Sequence, residues 1–171
     1  MSLMIKATGL RWLWLTLVVL IVDQVSKQLA VSELVLHEAV PLMPSLNLML
    51  AYNSGAAFSF LSSASGWQRW FFVILALAVS TVLIFWLRRL TSAQSMQASA
   101  LALILGGALG NVWDRLLYGY VIDFIDVYYG AWHFPVFNIA DSAITVGAVL
   151  LIIETIMGAG QEHETRDKKH D

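Results

Sequence analysis

There is no cysteine among the 171 residues of this chain. Disulfides, thiolate metal sites and a cysteine nucleophile are therefore excluded. Charge is scarce as well. Asp, Glu, Lys and Arg make up 13% of the residues, roughly half the usual ~25% of a soluble domain. Ten basic residues against twelve acidic ones leave a net charge of −2 and no basic stripe. Nucleic acid is excluded as a partner, since it requires clustered Lys and Arg. The chain lacks G-x-S-x-G, H-E-x-x-H and Walker A sequences. His37 and His133 lack metal-ligand spacing, so neither a metal nor a cofactor is expected. Ser26 adjoins Lys27, but neighbouring residues of a helix point in different directions, which disfavours a Ser–Lys pair.

What is abundant is apolar. Hydrophobic residues form 58% of the chain and the mean hydropathy is +0.71. A water-soluble core of this length could not hide so much apolar surface. Four stretches, at about 12–31, 67–87, 98–118 and 137–157, reach the roughly 20 residues that cross a bilayer. The first, with Lys6 and Arg11 ahead of it and Ala30-Val31-Ser32 behind, also has the outline of a cleavable signal peptide. Asp23 and Lys27 inside it favour a retained helix. Seven Trp and five Tyr suit the lipid–water boundary.

Lys and Arg also set an expected orientation. Lys6 and Arg11 precede the first helix, Arg88 and Arg89 follow the second, and Arg166, Lys168 and Lys169 follow the fourth. The loops at about 32–66 and 119–136 contain neither residue. The positive-inside rule then puts both termini in the cytoplasm and both loops outside. The first loop reads as short strands and turns around Leu46–Leu50, a small sheet lying on the membrane. The second reads as a hairpin centred on Gly130. The expected fold is a four-helix transmembrane bundle with a small extracytoplasmic sheet, in one domain over 1–160. A charged, disordered tail is expected over 161–171.

Charged side chains are costly at depth in lipid and face the protein interior. Asp23 and Lys27 lie four apart on one helix face and can pair. Asn111 and Arg115 share a face, with Asp114 beside them. Gly106, Gly107 and Gly110 let a neighbouring helix approach closely. Asp123 follows the third helix and Asp141 opens the fourth, so the two carboxylates share one side of the membrane at similar depth. An adjacent antiparallel helix pair would bring them together, as an aspartic protease dyad requires. Each Asp also has a plainer explanation. Asp141 fits the third helical position behind an Asn138 cap, and Asp123 and Asp126 fit solvated loop positions. A proton-coupled transporter would use intramembrane charges too. A scaffold without chemistry is the third alternative.

Four motifs bear on that choice. They are Asp23-Gln24-Val25-Ser26-Lys27 and Asn53-Ser54-Gly55-Ala56-Ala57-Phe58, then Gly107-Ala108-Leu109-Gly110-Asn111-Val112-Trp113-Asp114-Arg115 continuing to Val121-Ile122-Asp123-Phe124, and Phe137-Asn138-Ile139-Ala140-Asp141-Ser142. In order and spacing, over about residues 10–158, the set resembles signal peptidase II, the lipoprotein signal peptidase family. The resemblance implies that Asp123 and Asp141 are the catalytic pair. Asn53, Gly55, Asn111, Arg115 and Asn138 would orient the pair and the substrate, with Asp23, Lys27 and Asp114 in support. It implies a substrate, a bacterial prolipoprotein whose cysteine carries diacylglycerol, cut just before that cysteine. It further implies inhibition by globomycin and a site on the periplasmic side of the inner membrane, among membrane lipids. A monomer is expected to suffice.

The Asn53–Phe58 segment is expected to clamp substrate at the membrane surface. A photo-crosslinker in a lipidated substrate should therefore label residues 53–58; labelling confined to cytoplasmic positions would rule the clamp out.

Overall fold

A segment that crosses lipid must satisfy its own backbone, and a helix does so without outside partners. The structure, a computed structural model, describes residues 8–55 and 66–167, with side chains described up to residue 157. Its four long apolar helices are α1 (Leu13–Glu33), α2 (Trp67–Arg89), α3 (Ser95–Leu117) and α4 (Ile139–Asp167). Each is long and apolar enough to cross a membrane. Buried residues of α1 recur at Thr16, Val19, Asp23, Lys27 and Ala30. That three- and four-residue spacing makes one stripe facing the bundle. Leu17, Val18, Ile21, Val25 and Leu29 face outward, toward lipid.

The centre of the bundle is α3, which contacts the other three helices. Of its span 56% is buried, against 28% or less for the others. Its small residues make this possible. A Cβ on Gly107 would collide with the Ala140 carbonyl oxygen of α4, and one on Gly110 would come within 2.5 Å of Asp23 Oδ2 of α1. Away from the sheet the bundle is closed by Leu83, Leu87, Leu90, Ala98, Leu101 and Leu105.

The helix α3 stops at Gly119, whose φ of +86° is a conformation that residues with a Cβ rarely adopt. Gly119 N–H donates to Arg115 O at 3.2 Å and Tyr118 N–H to Asp114 O at 2.8 Å. The chain then turns directly into a strand. The strands β1 (Ala39–Met43), β2 (Leu46–Asn53), β3 (Val121–Tyr129) and β4 (Trp132–His133) form an antiparallel sheet in that order. Pro41 lies in the edge strand β1, where a missing N–H costs least. The sheet rests on α1 through Ala30, Leu50, Ile122 and Phe124.

Phe137 lies antiparallel to Ile125, exchanging hydrogen bonds of 3.1 and 2.8 Å. The return to α4 therefore runs beside β3, and α4 starts at Ile139, not at 137, because Asn138 caps it. The far end of α4 differs from expectation. It stays helical through Asp167, where a disordered tail is expected from residue 161. Gln, Glu and Arg in that stretch are good helix formers, and charge alone does not end a helix. The remaining tail residues, 168–171, lie outside the described residues.

Gly107→Ala should push α3 from α4 and lower the melting temperature in detergent by several degrees, as overpacking of about 1–3 kcal/mol does. An unchanged melting temperature would mean that the helices separate without strain.

A candidate active site where the sheet meets the bundle

Lys27 is fully buried, as are Asp23 and Asp114. An ammonium has three donors and no acceptor, and all three of its donors have partners. Lys27 Nζ donates to Asp23 Oδ2 at 2.8 Å, Asp114 Oδ2 at 2.8 Å and Asn111 Oδ1 at 3.1 Å. The two carboxylates then tie in further elements. Asp23 Oδ1 accepts the Ala140 N–H of α4 at 2.9 Å. Asp114 Oδ2 accepts the Ile122 N–H of β3 at 3.1 Å. Gln24 Nε2 donates to Asp114 Oδ1 at 2.8 Å. Asp114 thus faces Lys27 and β3, away from the face of α3 that bears Arg115.

Asn111 carries the network to the outer carboxylates. Its Nδ2 donates to Asp141 Oδ1 at 2.8 Å, and its Oδ1 accepts from Asn138 Nδ2 at 3.2 Å. Asn138 Nδ2 also donates to Asp123 Oδ1 at 2.7 Å. Asp123 and Asp141 are therefore bridged by two asparagines. Asn138 does a second task, capping α4. Its Oδ1 accepts the Asp141 N–H at 2.9 Å, and Asp141 Oδ2 accepts the Asn138 N–H at 3.4 Å. This is the reciprocal capping box. The plain explanation of Asp141 and its place beside Asp123 hold together.

Asp123 is 2% exposed, so it is no solvated loop residue. Burial pushes its carboxyl up from the ordinary 3.8 to about 7, and the charge of Asp141 pushes the same way. Hydrogen bonds from Asn53 and Asn138, and the charge of Lys27, pull it back. Asn53 Nδ2 donates to Asp123 Oδ2 at 3.1 Å and Asn53 Oδ1 accepts the Gly55 N–H at 3.1 Å. Arg115 Nη2 donates to Gly55 O and Nη1 to Asn111 O, both at 3.3 Å. Its guanidinium sits 5.1 Å from the Phe72 ring centroid. Ala56, Ala57 and Phe58 lie outside the described residues.

The two carboxylates line a cleft of about 1100 Å³, which also includes Asn53, Gly55, Asn111 and Arg115. Its lining also takes in Ile144 and Val146 of α4 and, on the hairpin, Asp126 and His133. Asp126, whose plainer explanation is a solvated loop position, is completely buried. Asn47 Nδ2 donates to its Oδ2 at 2.8 Å, and His133 Nδ1 contacts its Oδ1 at 2.8 Å. Sequence reasoning missed Gln24, Asn47 and the pairing of His133.

The family model described as signal peptidase (SPase) II matches residues 15–157. A lipoprotein signal peptidase of Photorhabdus laumondii is 54% identical over 158 residues, 92% of this chain and 95% of that one. One from Shigella boydii is 54% identical over 154 residues, 90% of this chain and 94% of that one. A solved structure described as a bacterial membrane enzyme superposes with a TM-score of 0.79 at 32% identity, covering 91% of this chain and 93% of its own.

Lys27→Met would leave Asp23 and Asp114 buried and unpaired, a loss of about 3–5 kcal/mol. The variant should be recovered poorly from membranes. Adding Asp23→Asn and Asp114→Asn should restore much of the yield, and a single variant as stable as wild type would refute the ion cluster's role.

Proposed function

This chain belongs to the signal peptidase II family, and from that premise we propose that it is an aspartic endopeptidase of the bacterial inner membrane. Its substrate is a prolipoprotein whose cysteine carries diacylglycerol, and the cut falls just before that cysteine. Residues 1–160 act as one protease domain, sufficient as a monomer. Both termini are cytoplasmic and the sheet is periplasmic. The observation that carries the reading is the bridging of Asp123 and Asp141 by Asn111 and Asn138 inside one cleft.

Two carboxylates held together share a proton more easily than they both ionise. The proton sits on Asp123, whose carboxyl is raised to about 7. Its O–H donates to the scissile carbonyl oxygen. The Asp141 carboxylate takes a proton from water as that water's oxygen attacks the carbonyl carbon. The tetrahedral intermediate collapses when Asp141 passes the proton to the departing nitrogen. The products are the signal peptide's carboxyl group and the free amino group of the lipidated cysteine.

Asn53 holds Asp123 in place, and Arg115 fixes the backbone at Gly55, the start of the loop proposed to clamp substrate. The α4 flank of the cleft lets an apolar signal peptide and acyl chains enter from lipid. Globomycin would compete for this cleft. The apolar closure at the other end of the bundle counts against a polar path for transport.

Purified protein should cleave a diacylglyceryl-modified prolipoprotein in a gel-shift assay and leave the unmodified form intact. Asp123→Asn and Asp141→Asn should each lose cleavage by at least about a thousandfold. Activity in either variant would show that the acid and base have been misassigned.

The rate should fall as pH rises through about 7, where Asp123 loses its proton. Because its folded pKa lies above its unfolded value, Asp123 contributes stability below 3.8 that is lost as pH rises through about 7. Asp123→Asn should therefore melt higher than wild type at pH 8 and show a smaller gain at pH 5. An equal gain at both would contradict a raised Asp123.

A further inference from the structure

The mechanism above makes no use of Asp126 and His133, which line the same cleft as Asp123 and Asp141. His133 is unusually constrained for a side chain that is 49% exposed. Its Nδ1 lies 2.8 Å from Asp126 Oδ1. Its ring stacks on Tyr128, its cross-strand partner, with centroids 5.3 Å apart and planes at 20°. The next residue, Phe134, closes the hairpin by donating its N–H to Val127 O at 2.8 Å. Asp126 is in turn fixed by Asn47. A fully buried carboxylate that fixes one nitrogen of a half-exposed imidazole leaves the other, Nε2, to a second partner. Among the described residues Nε2 has none.

The geometry points to His133 as a substrate-binding residue for the mature side of the cut, with Asp126 as its positioning residue. This deepens the proposed function and rests on it. Ile144 and Val146 lie farther into α4 than Asp141, whereas Asp126 and His133 lie on the hairpin past Asp123. A signal peptide is apolar, so it takes the part of the cleft lined by Ile144 and Val146, and the chain beyond the cut leaves along the hairpin, past Asp126 and His133. Asp126 stands three residues beyond Asp123 on β3, about 10 Å at the strand rise. An extended substrate covers that distance in about three residues. His133 Nε2 therefore meets a main-chain peptide group two to three residues beyond the cut. It accepts the N–H when the ring is neutral and donates to the carbonyl when it is protonated. A main-chain contact tolerates varied side chains in the mature segment.

The test compares two diacylglyceryl-modified lipopeptides, one all-amide and one with ester linkages at the second and third positions after the cut. The ester removes the N–H and weakens the carbonyl acceptor, so it reports either mode. Wild type should show a KM about five- to tenfold higher for the ester, with kcat within about twofold. His133→Ala should raise KM on the amide by the same factor and lose nothing more on the ester. His133→Gln, which keeps a donor and an acceptor, should recover part of the loss, and Asp126→Asn should lose less than His133→Ala. Melting temperatures followed in parallel separate folding from binding. If the ester penalty persists undiminished in His133→Ala, or if kcat falls while KM holds, His133 does not touch that peptide group. If all variants match wild type, the assignment is also overturned. Failure of folded wild type to cleave either lipopeptide would instead overturn the protease reading, and this subsite with it.

Discussion

The elements that carry Asn111, Asp123 and Asp141 are tied, directly or at one remove, to the ammonium of Lys27. Lys27 holds Asp23 within α1 and Asp114 and Asn111 on α3. Asp23 reaches the first turn of α4 and Asp114 the first residues of β3. A buried charge in an apolar bundle is stable only when fully paired, so these contacts are obligatory. The same requirement explains the glycines. Gly110 leaves room for Asp23, and Gly107 lets α4 approach until Ala140 N–H reaches that carboxylate. The ion cluster positions the strand and the helix from which Asp123 and Asp141 project.

Above the ion cluster, two asparagines convert a structural network into a site suited to chemistry. Neutral amides can donate to a carboxylate and accept from a neighbouring donor without adding charge. Asn111 accepts from Lys27 and donates to Asp141, while Asn138 caps α4 and donates to Asp123. The proposed pair is therefore rigid and shielded from the full Lys27 charge. Burial and the charge of Asp141 hold the Asp123 proton near neutral pH, against the pull of Lys27 and of the Asn53 and Asn138 hydrogen bonds. A direct ion pair from Lys27 to Asp123 would have lowered its pKa further and removed the acid.

The small sheet solves a different problem. The substrate proposed for this chain is anchored in lipid, with its reacting bond at the membrane surface. The sheet continues from the end of α3, and β3 carries both Asp123 and Asp126 along one strand. The lining of the cleft consequently combines apolar Ile144 and Val146 of α4 with polar Asp126 and His133 of the hairpin. On the proposed function, the apolar lining suits the signal peptide and acyl chains, and the polar lining suits the polypeptide beyond the lipidated cysteine.

Much of this was legible from residue types and spacing. Length and apolarity determined four helices, since lipid allows few other structures for such segments. The Asp23/Lys27 spacing determined their pairing, and the ordered motifs determined the family. Gly130 and the β-branched run before it marked the hairpin. The burial of Asp126 was not legible, because sequence shows a charged residue in a loop and cannot show that Asn47, remote in the chain, pairs with it. Gln24 and His133 were missed for the same reason, as their partners come from other elements. The bundle's depth of packing, the double use of Asn138 and the meeting of Asp123 with Asp141 were decided only in three dimensions. Each depends on contacts between segments far apart in the chain, and the helical and strand periods that sequence displays report which way a side chain faces, not what it meets there.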